Sequence, residues 1–127
     1  MTFLDETLTA KGNANGYHWV IWDIPAATLG LPQNLPAGAT LTTPVTAKQF
    51  SPANGFDNLP ANAYFGPCPN AIGNTTNTDT YAFTLYALSV EQLTGNLNGV
   101  KNIEAAIKAS TPLATSALHG TSMAKPN

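Results

Sequence analysis

Few side chains in this 127-residue chain can do acid-base or nucleophilic chemistry. The imidazoles are His18 and His119, the thiol is Cys68, and the carboxylates include Asp5 and Asp79. His18 opens the aromatic run YHWVIW, where an imidazole either lines a pocket or is satisfied in the core by a backbone carbonyl. Asp5 reads equally as a ligand-orienting carboxylate and as a turn or capping residue. Tyr81 lies among apolar strand neighbours, which favours core packing with the phenol as a polar tip. Cys68 as a nucleophile would need a histidine in reach and a depressed pKa, and Pro67 and Pro69 supply neither, so a small buried hydrophobe is the plainer role. A zinc site from His18, His119 and a carboxylate lacks any ligand pair at helical or turn spacing, so no metal is expected. A hydrolase built on His18 with Asp5 or Asp79 lacks an evident nucleophile and oxyanion donors, so no catalytic residue is expected either.

Composition narrows the partners. Only 9% of residues are charged, arginine is missing, and Lys11, Lys48, Lys101, Lys108 and Lys125 are scattered singly in a chain of net charge -2. That pattern carries no basic footprint for nucleic acid or for an anionic membrane surface. One cysteine excludes an internal disulfide. Residues 1–9 hold no export signal, and no run is long enough for a membrane span. The expectation is a single domain over residues 1–127, cytoplasmic as the chain stands, and periplasmic or secreted if a signal has been lost.

The elements that must position these residues follow from patterning. Thr2 to Leu4 read as the end of a strand, and Asn15-Gly16 as the turn before the next. In that next strand Tyr17, Trp19 and Ile21 alternate with His18, Val20, Trp22 and Ile24, which places the two tryptophans on opposite faces. Residues 25–63 are rich in Pro and Gly and predict an irregular excursion with a short strand at Ala39 to Leu41. Pro67 and Pro69 demand a shaped loop. Thr80 to Leu88 predicts a strand buried on both faces in the middle of a sheet. Ser89 to Leu93 predicts one helical turn, Val100 to Ala109 an amphipathic helix capped by Asn98, and Leu113 to Leu118 a second short helix.

Taken together, HWVIWDIPA at 18–26, YFGPCP at 64–69 and YAFTLYAL at 81–88 resemble the phosphatidylethanolamine-binding protein family, in its bacterial, Raf kinase inhibitor-like branch. The resemblance implies a mainly β fold, an antiparallel β-sandwich with a short C-terminal helical segment, here lacking its first strands. It also implies a small pocket that holds an anion or a phospholipid headgroup without cofactor or turnover. Carried over by position, that pocket comprises Asp5, His18, Gly66, Pro67, Asp79 and Tyr81. Protein partners are implied by eukaryotic relatives, and a homodimer by a sheet edge left open. Two departures stand out. Where the family has an Asp-Pro-Asp-x-Pro motif this chain has Asp5, Glu6, Thr7, Leu8 and Thr9, and where it has a basic pair before the tyrosine this chain has Asp79 and Thr80. An acidic residue in place of an imidazole removes a donor, which predicts weak phosphate affinity or a neutral or cationic ligand. It equally fits a vestigial pocket in a secreted or structural interaction module. The polar loop Asn70 to Thr78 is expected to cover the pocket mouth.

Overall fold

The computed structural model describes residues 1–52, 61–69 and 77–124. Within them β1 (Thr2–Asp5), β2 (Tyr17–Trp22), β3 (Thr40–Leu41), β4 (Ala47–Phe50), β5 (Thr78–Ala87) and β6 (Ala114–Met123) form a 6-stranded sheet in the order β3-β4-β2-β1-β5-β6. Every pairing is antiparallel, as the expected mainly β fold requires. Two helices interrupt the strands, α1 (Glu6–Thr9) and α2 (Val100–Ala109).

One face of the sheet is covered by α2. Its Val100, Ile103 and Ile107 recur at helical spacing and bury against Val20, Trp22 and Leu93. Burial of this kind stabilises by roughly 1.5–3 kcal/mol per large aliphatic side chain. The helix spans the predicted residues, but its N-cap is not Asn98. Gly99 is the N-cap, with φ of 93°, a conformation that a side chain disfavours, while Asn98 contributes its carbonyl to the Asn102 amide.

The other face gathers Phe3, Trp19, Ile21, Leu41, Val45, Ala47 and Tyr81. Trp19 and Trp22 thus lie on opposite faces, as the alternation predicts. The Pro-rich excursion is held over this face by Gln49 of β4, which is fully buried. Its Oε1 accepts from Trp19 Nε1 at 3.0 Å, and its Nε2 donates to the carbonyls of Pro36 at 2.7 Å and Gly38 at 3.0 Å. A strand at AKQF was not predicted, because Lys48 and Gln49 break the apolar pattern on which strand recognition rests.

Three expectations are corrected. Leu113 to Leu118 is strand, part of β6, since ten consecutive residues pair with β5 and that pairing outweighs local propensity. Ser89 to Leu93 forms no helical turn; Leu93 packs beneath α2 and its amide donates to Asp23 Oδ1 at 2.7 Å. β5 has a neighbour on each side but is buried only in its first half, where Asp79, Tyr81 and Ala82 lie, and Leu85 is exposed. Neither packed cluster reaches the far end of β5 on the Leu85 face. The loop expected to cover the pocket mouth falls at residues 70–76 outside the described residues, as do 53–60 of the excursion.

Candidate functional site

The site forms where β1, β2 and β5 lie side by side. In β1, Asp5 is the last strand residue and the N-cap of α1, with Oδ1 accepting from the Leu8 amide at 2.9 Å. Of the two roles considered for Asp5, the capping role is carried by Oδ1. Oδ2 is buried and has no hydrogen-bond partner. The departure from the Asp-Pro-Asp-x-Pro pattern has a local consequence: without its prolines, residues 6–9 close into a helical turn that Asp5 caps.

His18 reaches the same place through an irregularity in the sheet. Phe3 pairs with Trp19 but Leu4 pairs with Tyr17, so His18 is left opposite no residue. A bulge of this kind re-aims a side chain. Strict alternation would put His18 beside Val20 and Trp22. Instead its ring meets Phe3 and Tyr81 edge-on, each at 5.5 Å, while Tyr17 packs toward the α2 face. The predicted assignment of Tyr17 and His18 to faces is thus reversed.

The segment YFGPCP closes over the imidazole. Phe65 stacks on it at 4.6 Å with 13° between the planes, and Nδ1 lies 3.0 Å from the Gly66 carbonyl. A carbonyl only accepts, so Nδ1 carries the proton and Nε2 of the neutral ring keeps a lone pair. Two residues on, the Cys68 amide donates to the Tyr81 hydroxyl at 3.2 Å. Pro67, between these two anchors, is exposed and acts by holding the turn rigid.

β5 supplies the rest. Tyr81 lies opposite Asp5 in the strand register, and Asp79 follows on the same face. The four polar residues are 0% (Asp5), 2% (His18), 3% (Tyr81) and 5% (Asp79) exposed. Burial, followed by the Asp5 carboxylate, raises the Tyr81 pKa well above its ordinary value, so the phenol stays protonated. Asp79 is raised too, by burial and then by Asp5, with Lys11 opposing. Burial lowers His18, against the contributions of the Gly66 carbonyl and Asp5.

A model of the phosphatidylethanolamine-binding protein family matches residues 4–122. The chain belongs to that family. No curated protein and no solved structure shows a significant match. Family membership makes this a ligand-binding or regulatory protein in general terms. Of the positions that the resemblance assigned to the family's pocket, Asp5, His18, Asp79 and Tyr81 converge, Gly66 touches the cluster through its carbonyl, and Pro67 does not enter it.

Phe65 and Phe3, which frame the imidazole, were not anticipated; the only signal for Phe65 was an aromatic beside the Gly-Pro turn. His119 takes no part, lying 3.4 Å from Glu6. Among the described residues no His, Cys, Asp and Glu group is arranged to hold a metal. Two open hollows lie apart from the polar cluster, one of about 570 Å³ against α2 and one of about 480 Å³ beside Trp19, Tyr64 and Phe83. Neither is lined by a charged side chain.

Proposed function

We propose that this protein is a non-catalytic binding protein of the phosphatidylethanolamine-binding family, whose pocket holds the polar headgroup of a small ligand of anion or phospholipid-headgroup type. The observation that carries this is the half-used carboxylate of Asp5, fully buried beside His18, Asp79 and Tyr81 with Oδ2 unpartnered. A buried acceptor without a partner costs about 1–3 kcal/mol, a penalty that a hydrogen-bond donor on a bound headgroup relieves. The non-catalytic reading is supported by the way the groups are already used. A hydrolase built on His18 with Asp5 or Asp79 needs that carboxylate to orient the imidazole, whereas His18 Nδ1 faces the Gly66 carbonyl and Asp5 Oδ1 caps α1.

The test is a titration of the folded protein with phosphate, acetate and phosphoethanolamine, following the His18 ring signals by NMR. Saturable shifts that vanish in Asp5→Asn support a working pocket. Silence with all three supports the vestigial reading.

Regulation through protein partners and a homodimer complete the proposal, with the dimer contact placed on β6. That edge strand runs ten residues without proline, lysine or carboxylate, the usual guards against pairing with a second copy. Light scattering after size exclusion should show a dimer that Ala117→Pro abolishes; a monomer at all concentrations refutes it.

A further inference from the structure

We infer that the Asn98-Gly99 peptide at the start of α2 modifies itself, losing ammonia from the Asn98 side chain and leaving a carboxylate where the sequence has an amide. Two Asn-Gly pairs lie among the described residues, Asn15-Gly16 and Asn98-Gly99, and the fold treats them in opposite ways. The Gly16 amide donates to the Asn13 carbonyl at 3.2 Å, and a Cβ on Gly16 would lie 2.7 Å from Thr9 Cγ2 and 2.8 Å from the Asp5 carbonyl oxygen. Asn98 is exposed, and Gly99 has open space where a Cβ would point. Among the described residues no group accepts from the Gly99 amide, which is one of the unused donors at a helix N-terminus. A third pair, Asn54-Gly55, lies outside the described residues.

The reaction consumes only water. The Gly99 nitrogen gives its proton to solvent and bonds to Asn98 Cγ, and the Cγ–Nδ2 bond breaks with ammonia as the leaving group. Water then opens the five-membered imide. Attack at Cγ leaves an aspartate at this position, and attack at the main-chain carbonyl leaves an isoaspartate, with the backbone rerouted through the side chain. Two features of α2 favour the first step. Deprotonation of the Gly99 amide spreads negative charge onto the Asn98 carbonyl oxygen, and Asn102 Nδ2 already donates to that oxygen. The charge also forms at the positive end of the helix dipole, where the first turn holds no acidic side chain. The product carboxylate is favoured by the same field, and it takes the chain one unit below its net charge of -2.

The experiment incubates the folded protein in mildly alkaline buffer at physiological temperature and maps the amide-to-acid mass gain peptide by peptide. Asn98 should convert about tenfold or more faster than Asn15, where the Gly16 hydrogen bond and its packing must first be broken. In denaturant the two rates should converge, because the difference belongs to the fold. Enzymatic methylation of the isoaspartyl carboxyl should label the same Asn98 peptide. Asn102→Asp keeps a side chain suited to the first turn of a helix, removes the donor and adds negative charge. It should slow conversion at Asn98 by roughly threefold or more and leave Asn15 unchanged. Its denaturation midpoint should not fall, which separates the loss of the donor from a loss of structure. Equal rates at Asn15 and Asn98 in the folded protein, or no conversion at Asn98 while the denatured chain reacts, overturn the inference. An unchanged or faster rate at Asn98 in Asn102→Asp overturns the part assigned to α2.

Discussion

The two faces of the sheet are built to different ends. The face under α2 is an aliphatic core in which Val20, Leu93, Val100, Ile103 and Ile107 close on one another, and its buried carboxylate, Glu104, is paired with Lys108 at 2.7 Å. Trp22 Nε1 and Thr2 Oγ1 are buried polar atoms left unpaired on that face. The opposite face is aromatic and carries Asp5, His18, Asp79 and Tyr81 within its buried layer. The same three strands, β1, β2 and β5, contribute to both faces, so the contrast comes from what alternate residues present. One face lowers the free energy of the fold, and the other holds groups whose desolvation opposes folding.

Breaking the first face should have the largest effect. Ile103 is fully buried, and Ile103→Ala removes methylenes from a packed layer, so it should destabilise by about 2–5 kcal/mol in chemical denaturation. The His18 response to ligand in the remaining folded protein should be unchanged. A variant that loses ligand response in proportion to stability would show that the faces are not independent. Asp23→Ala is expected to come next, at about 1–3 kcal/mol, because it frees the Leu93 amide and the Lys48 ammonium together. The loss should appear in the same denaturation curve.

How much of this was legible in the sequence depends on whether the cause was local. The period of Val100, Ile103 and Ile107 identifies α2, and the aromatic alternation identifies β2 and the start of β5, because each signal lies within a few residues of its effect. The cap at Asp5 is local as well. The bulge at His18 is not: it depends on the pairing of Leu4 with Tyr17, a register that no window of sequence contains. β6 fails for the same reason. ATSALHGTSM has weak propensity of its own and becomes a strand by pairing along β5. The cluster of Asp5, His18, Asp79 and Tyr81 was assembled by resemblance. Spacing alone left His18 open between a pocket donor and a core imidazole, and the structure shows it hydrogen-bonded to a carbonyl while lying beside the carboxylates.

The second face is sharpened by pH. His18 has its pKa lowered below 6.5 in the folded chain, so the unfolded chain takes up the proton first. Stability from this group is full above pH 6.5 and falls as pH drops through 6.5, until the folded value is passed. Asp79 has the opposite sign. Its pKa is raised above 3.8, so the cost of the charged carboxyl is present at neutral pH and is relieved as pH falls through the raised value toward 3.8. Asp5, Tyr81 and Lys11 are the other ionisable groups whose charges act within this cluster. Asp79→Asn should therefore stabilise by about 1 kcal/mol at pH 7 and abolish the acid-side relief, read from denaturation at several pH values. If Asp79→Asn destabilises at pH 7, the carboxylate has a protein partner, and the contrast between the faces narrows.

The smallest expected effect returns to the charge pair on the α2 face. Glu104 and Lys108 stand four residues apart, in the order that suits the helix dipole. The Glu104 side chain is mostly buried and the Lys108 side chain is mostly exposed, so solvent screens the lysine. Lys108→Ala should cost only about 0.3–0.5 kcal/mol, and the cost should shrink in 1 M salt. A larger and salt-independent loss would mean that Glu104 is stranded without its partner, in the same condition as Asp5 Oδ2 across the sheet. Both faces would then hold a carboxylate in tension, and the division between a packing face and a binding face would rest on Asp79 and His18 alone.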